Sequence, residues 1–155
     1  MKLAKRIVAL VLTAIPLALS VDAMADMRIT SASNPSWKAE CGSCHLAYPP
    51  SLLPADSWRA VMAGLDKHFG VDASIDAKTA AEIGAFLEKN AGRSRGNTAK
   101  PNLRISETAW FKHEHDEVGA AVWRSPKVKT PSNCAACHRG AEQGNFDEHD
   151  IRLPR

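Results

Sequence analysis

Residues 40–45 read ECGSCH and residues 130–139 read TPSNCAACHR, so all four cysteines of this 155-residue chain fall in two copies of Cys-x-x-Cys-His. Four cysteines can form two disulfides, and paired Cys-x-x-Cys units can build a zinc site. Neither arrangement needs a histidine immediately after the second cysteine. Covalent haem attachment does. Two thiols three residues apart on a short helical turn meet the two vinyl groups of the porphyrin, and the next residue carries an imidazole under the iron. The reading that uses every residue of both motifs is two c-type haems. Cys41, Cys44, Cys134 and Cys137 are then the anchors, and His45 and His138 the proximal ligands.

The N-terminus is that of an exported chain. Lys2, Lys5 and Arg6 precede an apolar run over residues 7–19, broken only by Thr13 and Pro16, and Ala23-Met24-Ala25 offers a small-x-small cleavage site before Asp26. This is the order of a secretory signal peptide, and the run is shorter than the roughly 20 residues a membrane span needs. We expect residues 1–25 to be removed, and no later stretch to cross a membrane. Loss of Lys2, Lys5, Arg6 and Asp22 takes the formal net charge from +3 to +1, which offers no nucleic-acid footprint. A mature chain of 130 residues, counted from Asp26, makes one compact domain or two very small ones with a modest core.

The flanks of the motifs suit attachment turns. Pro131 and Ser132 read as the start of a short helix, with the serine hydroxyl as its cap. Leu46, Tyr48, Pro49 and Pro50 form an apolar, helix-breaking stretch that either lies against a haem face or is an ordinary loop.

What fills the sixth position of each iron separates electron transfer from chemistry at the metal. His68, His113, His115 and His149 remain, with Met27 and Met62. The stretch DSWRAVMAGLDKHFG predicts one helix, capped at Asp56 or Ser57 and stopped at Gly70, with Trp58, Val61, Met62, Leu65 and Phe69 on its apolar face. His68 borders that face and is the first candidate distal ligand; Met62 is the second, with core packing its plainer role. A further helix from Asp76 to Asn90, with Ala80, Ile83, Phe86 and Leu87 on one side, carries no ligand.

ISETAWFKHEHDEVGAAVW predicts a third helix, with Ser106 as N-cap and Ile105 stapled to Trp110. His113 and His115 lie about 200° apart around such a helix and cannot face one haem together. His115 shares a stripe with Phe111 and Val118, whereas His113 sits among Lys112, Glu114, Asp116 and Glu117. His115 is therefore the candidate ligand, and His113 and His149 are read as surface residues. Between the helices, AGRSRGNTAKPNLRIS reads as a loop. Its Arg93, Arg95, Lys100 and Arg104 pair with haem propionates or an acidic partner, or simply form a solvated connector.

CGSCHLAYPPSLLPADSWRAVMAGLDKHFG, ISETAWF and SNCAACHRGAEQGNFDEHDIRLPR resemble the small periplasmic dihaem cytochrome c family of proteobacteria. The resemblance spans residues 36–155. It implies a mainly α-helical, two-lobed fold with short helices wrapped around two covalent haems, each with two histidine ligands. On that basis residues 26–92 form an N-terminal haem lobe, 93–104 a basic linker and 105–155 a C-terminal haem lobe. Carried over by position, the two motifs hold the haems and His68 and His115 match the distal places, while His113 is a histidine beyond the family pattern. The resemblance further implies a periplasmic electron carrier, fed by a membrane cytochrome b and donating to an oxygen-binding monohaem cytochrome c. Two other readings are a dihaem peroxidase-like oxidoreductase, which needs an open distal side and an acid–base group, and the small electron-transfer subunit of a periplasmic reductase.

Overall fold

Asn34 begins the first helix: its side chain accepts the Trp37 N–H at 2.8 Å, Pro35 occupies the first helical position, and α1 (Pro35–Cys41) ends on the first cysteine of its motif. The computed structural model describes Ile29, residues 32–93 and residues 100–154. The expected signal peptide, Met27, and Arg95 with the middle of the basic linker lie outside the described residues. Within them the architecture is helical, with α2 (Ala55–Ala63), α3 (Ala77–Lys89), α4 (Ala109–Glu114), α5 (Ala120–Trp123), six single-turn 3-10 helices and isolated bridges, but no sheet.

α3 follows the expected bounds closely. Asp76 caps it by accepting from Lys78 and Thr79, and Ile83 and Leu87 are completely buried against α2. With Trp37, Leu53 and Trp58 they form the core of the N-terminal segment, flanked by partly buried Met62, Phe86 and Tyr48. Met62 is a packing residue here. Trp58 fixes the loop below the first motif through an Nε1–H bond of 2.7 Å to the buried Pro50 carbonyl. Gly92 closes the unit by donating to the Leu53 carbonyl at 2.9 Å.

Three expected elements take a different form. The helix read over residues 56–70 ends at Ala63, starts after Pro54 without a side-chain cap, and gives way to a 3-10 turn at Leu65–Lys67. Gly64, a poor helix former, interrupts it, and the Leu65 carbonyl is taken by Ala73 N–H at 2.9 Å. His68 thus sits on a turn, and Phe69, with φ of 50°, projects outward and is 48 % exposed rather than part of the buried face.

The third helix is likewise broken. Its cap is Thr108, whose Oγ1 accepts the Phe111 N–H at 3.1 Å, while Ser106 lies in a preceding 3-10 turn at Ile105–Glu107. The Ile105–Trp110 staple lapses with the shifted cap, and Ile105 packs instead on the N-terminal core. The last turn carries Lys112 and His113, followed by Glu114, Asp116 and Glu117. The helix stops at Glu114, and Val118 belongs to the following turn. Ser132 does not cap the second motif: its hydroxyl pairs with Thr130 Oγ1 at 2.6 Å, and the 3-10 turn Cys134–Ala136 begins after Asn133.

After residue 100 the buried apolar side chains among the described residues are Phe111, Val128 and Ala141. So small a core cannot by itself hold 50 residues in place.

Candidate functional site: two facing histidine pairs

The two Cys-x-x-Cys-His units differ in their local folding. In the second, the His138 N–H returns to the Cys134 carbonyl at 2.8 Å, which sets the ring beside its two thiols. The last residues brace this turn, with Arg152 N–H donating to the Cys137 carbonyl at 3.0 Å and a bridge joining His138 to Ile151. In the first, Cys41 finishes α1, and Cys44 and His45 follow in an exposed turn.

The fold then brings a second imidazole opposite each motif histidine. His45 and His68 have ring centroids 6.2 Å apart with planes 24° from parallel. His115 and His138 stand 6.1 Å apart with planes 75° from parallel. A metal bound through one nitrogen of each ring, with metal–nitrogen bonds of about 2.0–2.1 Å, requires centroids about 6.3 Å apart. Both pairs meet that requirement. His113 and His149 are exposed, and among the described residues neither ring pairs with another histidine.

Ring chemistry agrees with the spacing. His45 Nδ1 lies 2.7 Å from the Leu46 carbonyl and His115 Nδ1 lies 2.8 Å from the Phe111 carbonyl, so Nδ1 carries the proton and Nε2 keeps its lone pair for a metal. His138 Nδ1 is buried without a protein partner among the described residues. Burial, then the neighbouring His45 and Arg104, lowers the pKa of His68; burial, then His115, lowers that of His138. Both rings are thereby held in the neutral form that coordinates.

The four thiols are free. Burial raises the pKa of Cys41 and Cys137, and pushes Cys134 up to about 11. A thioether, the product of covalent attachment, has no charge to desolvate in such surroundings. Among the described residues no three His, Cys, Asp or Glu side chains are grouped to hold a bare metal ion. Two facing imidazoles beside two free thiols fit a metal whose remaining positions a macrocycle would fill.

Aromatic residues frame both pairs. Tyr48 lies 4.9 Å from the His45 ring at 26°, and Phe69 meets His68 edge-on at 4.8 Å. Phe111 stacks on His115 at 4.0 Å, Trp123 approaches it at 5.9 Å, and Phe146 packs beside His138 at 5.3 Å. Phe111 was visible in sequence as the residue four before His115; Trp123 and Phe146 carried no periodic signal. Of the linker cations, Arg93 and Lys100 are exposed, while Arg104 lies 4.0 Å above the Phe69 ring and 3.5 Å from Glu107.

A short helical chain with two haem-attachment motifs, each facing a second imidazole, is a c-type cytochrome of the two-haem class. The chain belongs to the dihaem cytochrome c family, whose model matches residues 37–146 and so includes both motifs. It resembles the solved dihaem cytochrome c from Rhodobacter sphaeroides at 46 % identity, over 74 % of this chain and 98 % of that one, with a TM-score of 0.69. The dihaem cytochrome c of Shewanella baltica OS155 matches at 43 % identity, over 78 % and 93 % of the two chains, again with a TM-score of 0.69. No protein of curated function matches the chain significantly. The protein accordingly carries two covalently bound c-type haems, and its family is one of electron transfer. Among the described residues no helix is long and apolar enough to cross a membrane.

Proposed function

We propose that the protein is a periplasmic electron carrier with two bis-histidine haems, one attached at Cys41 and Cys44 between His45 and His68, the other at Cys134 and Cys137 between His138 and His115. Bound haem supplies a reversible one-electron iron couple. The chain's residues hold that couple closed: an imidazole on each side leaves no coordination position for oxygen or peroxide. Nδ1 contacts to backbone carbonyls orient His45 and His115, and Tyr48 and Phe111 pack against their rings. The observation that carries this reading is the pair of matching ring separations, 6.2 and 6.1 Å, each between a motif histidine and a second histidine of the same segment outside the motif.

Residues 26–92 and 105–155 serve as the two haem lobes, joined by the linker at 93–104. The family resemblance supports a membrane cytochrome b as electron source and an oxygen-binding monohaem cytochrome c as acceptor, with residues 1–25 directing export. Stopped-flow mixing of the reduced protein with such an oxidised monohaem cytochrome tests this. Rapid, salt-dependent oxidation of both haems is expected. Sluggish transfer together with saturable turnover of peroxide would overturn it in favour of a peroxidase-like enzyme.

A further inference from the structure

Tyr48 is the chain's single tyrosine, and it touches both histidine-pair sites. Its ring lies nearly parallel to that of His45, 4.9 Å away, and its base packs on the N-terminal core. Its hydroxyl donates to the Ser132 carbonyl at 2.6 Å, across 84 residues of sequence. That same carbonyl stands 3.8 Å from Cys134 Sγ, an attachment atom of the second motif.

The receiving turn is stiff. Thr130 Oγ1 accepts the Ser132 N–H at 3.1 Å, and Asn133 Nδ2 donates to the Val128 carbonyl at 3.0 Å beside the fully buried Val128 side chain. A partly buried hydroxyl–carbonyl bond between two anchored segments fixes their separation better than apolar contact does, because its geometry is directional.

From this geometry we propose that Tyr48 is a positioning residue that sets the orientation of His45 and couples the two haem sites, through its ring on one side and its hydroxyl on the other. The proposal rests on the ligand assignment above. The coupled event is a one-electron exchange: one site passes from ferrous to ferric as the other passes from ferric to ferrous, and no proton or bond changes. Electronic coupling decays more slowly through bonds and hydrogen bonds than across a gap, and the 2.6 Å Tyr48–Ser132 bond replaces one gap between the sites, leaving the 4.9 Å ring contact to His45 on one side and the 3.8 Å approach to Cys134 Sγ on the other.

The test compares the intact dihaem protein with Tyr48→Phe and Tyr48→Ala, by electron paramagnetic resonance of the oxidised form and by exchange rate between haems in the half-reduced form. Tyr48→Phe keeps the ring, so both low-spin signals should stay in place while exchange slows several-fold. Tyr48→Ala should slow exchange at least as much and also shift the signal of the His45–His68 site alone. Wild-type exchange in Tyr48→Phe overturns the role of the hydroxyl, and an unmoved first signal in Tyr48→Ala overturns that of the ring. Failure of the ligand assignment itself would show separately, as a high-spin haem in the unsubstituted protein or as His68→Ala or His115→Ala leaving both haems low-spin.

Discussion

His115 and His138 present their rings 75° from parallel, whereas His45 and His68, at almost the same separation, lie only 24° apart. With each pair holding haem iron as proposed, the angle between its imidazole planes would control how two of the iron d orbitals split. Near-parallel rings separate them, and near-perpendicular rings leave them close in energy. The oxidised protein should therefore show two low-spin paramagnetic resonance signals, one rhombic and one strongly anisotropic with a larger maximum g value. Two superimposable rhombic signals would show that the second pair rotates when haem is bound.

Gly92 approaches the loop below the first motif too closely for a side chain. A Cβ there would strike the Ser51 carbonyl oxygen, which is backbone and cannot swing aside. Gly92→Ala should destabilise the haem-loaded protein by about 1–3 kcal/mol through forced backbone movement. Urea unfolding followed by tryptophan fluorescence checks this; an unchanged midpoint would mean that the 51–54 loop shifts freely.

Acid should loosen the N-terminal segment. Hydrogen bonds from Thr79 and Lys78 hold the Asp76 carboxyl below its usual range, and those from Asn34 and Ser36 do the same for Glu82. A depressed folded pKa gives stability that is fully present above the unfolded value of about 4 and lost as pH falls through the folded one. Asp76→Asn combined with Glu82→Gln keeps the hydrogen-bonding shape and removes both titrations. Melting temperatures measured between neutral pH and the acid limb should fall less steeply in that variant than in the parent.

Haem should matter most to the C-terminal segment. The Trp37, Leu53, Trp58, Ile83 and Leu87 cluster gives α2 and α3 a core of their own, while residues 105–154 bury little besides Phe111, Val128 and Ala141. In chain made without haem attachment, hydrogen exchange should find residues 105–154 unprotected and any remaining protection confined to α2 and α3. Equal protection of both segments would refute this.

What the sequence made legible follows from the range of the forces involved. The attachment motifs are local, and α3 announces itself by a capping aspartate and a clean apolar face. His115 could be separated from His113 because Phe111 stands four residues before it, and that stacking survives even though the helix ends at Glu114. The turn that carries His68 was hidden, since Gly64 breaks the helix while the apolar spacing runs on through it. Ser106 and Thr108 are both cap residues in isolation, and it is Thr108 that caps α4 while Ile105 packs on the N-terminal core. The Tyr48–Ser132 bond spans 84 positions and leaves no local trace. The plane angles of the two pairs are set by such distant contacts and could be read only in three dimensions.

The central claim is that His68 and His115 complete the two haem sites opposite His45 and His138. Absorption and paramagnetic resonance spectra of His68→Ala, His115→Ala and His113→Ala test it most directly. The account predicts that His68→Ala and His115→Ala each turn a different haem high-spin and open to carbon monoxide, leaving the other low-spin, while His113→Ala keeps both spectra unchanged. A haem opened by His113→Ala but not by His115→Ala would contradict it.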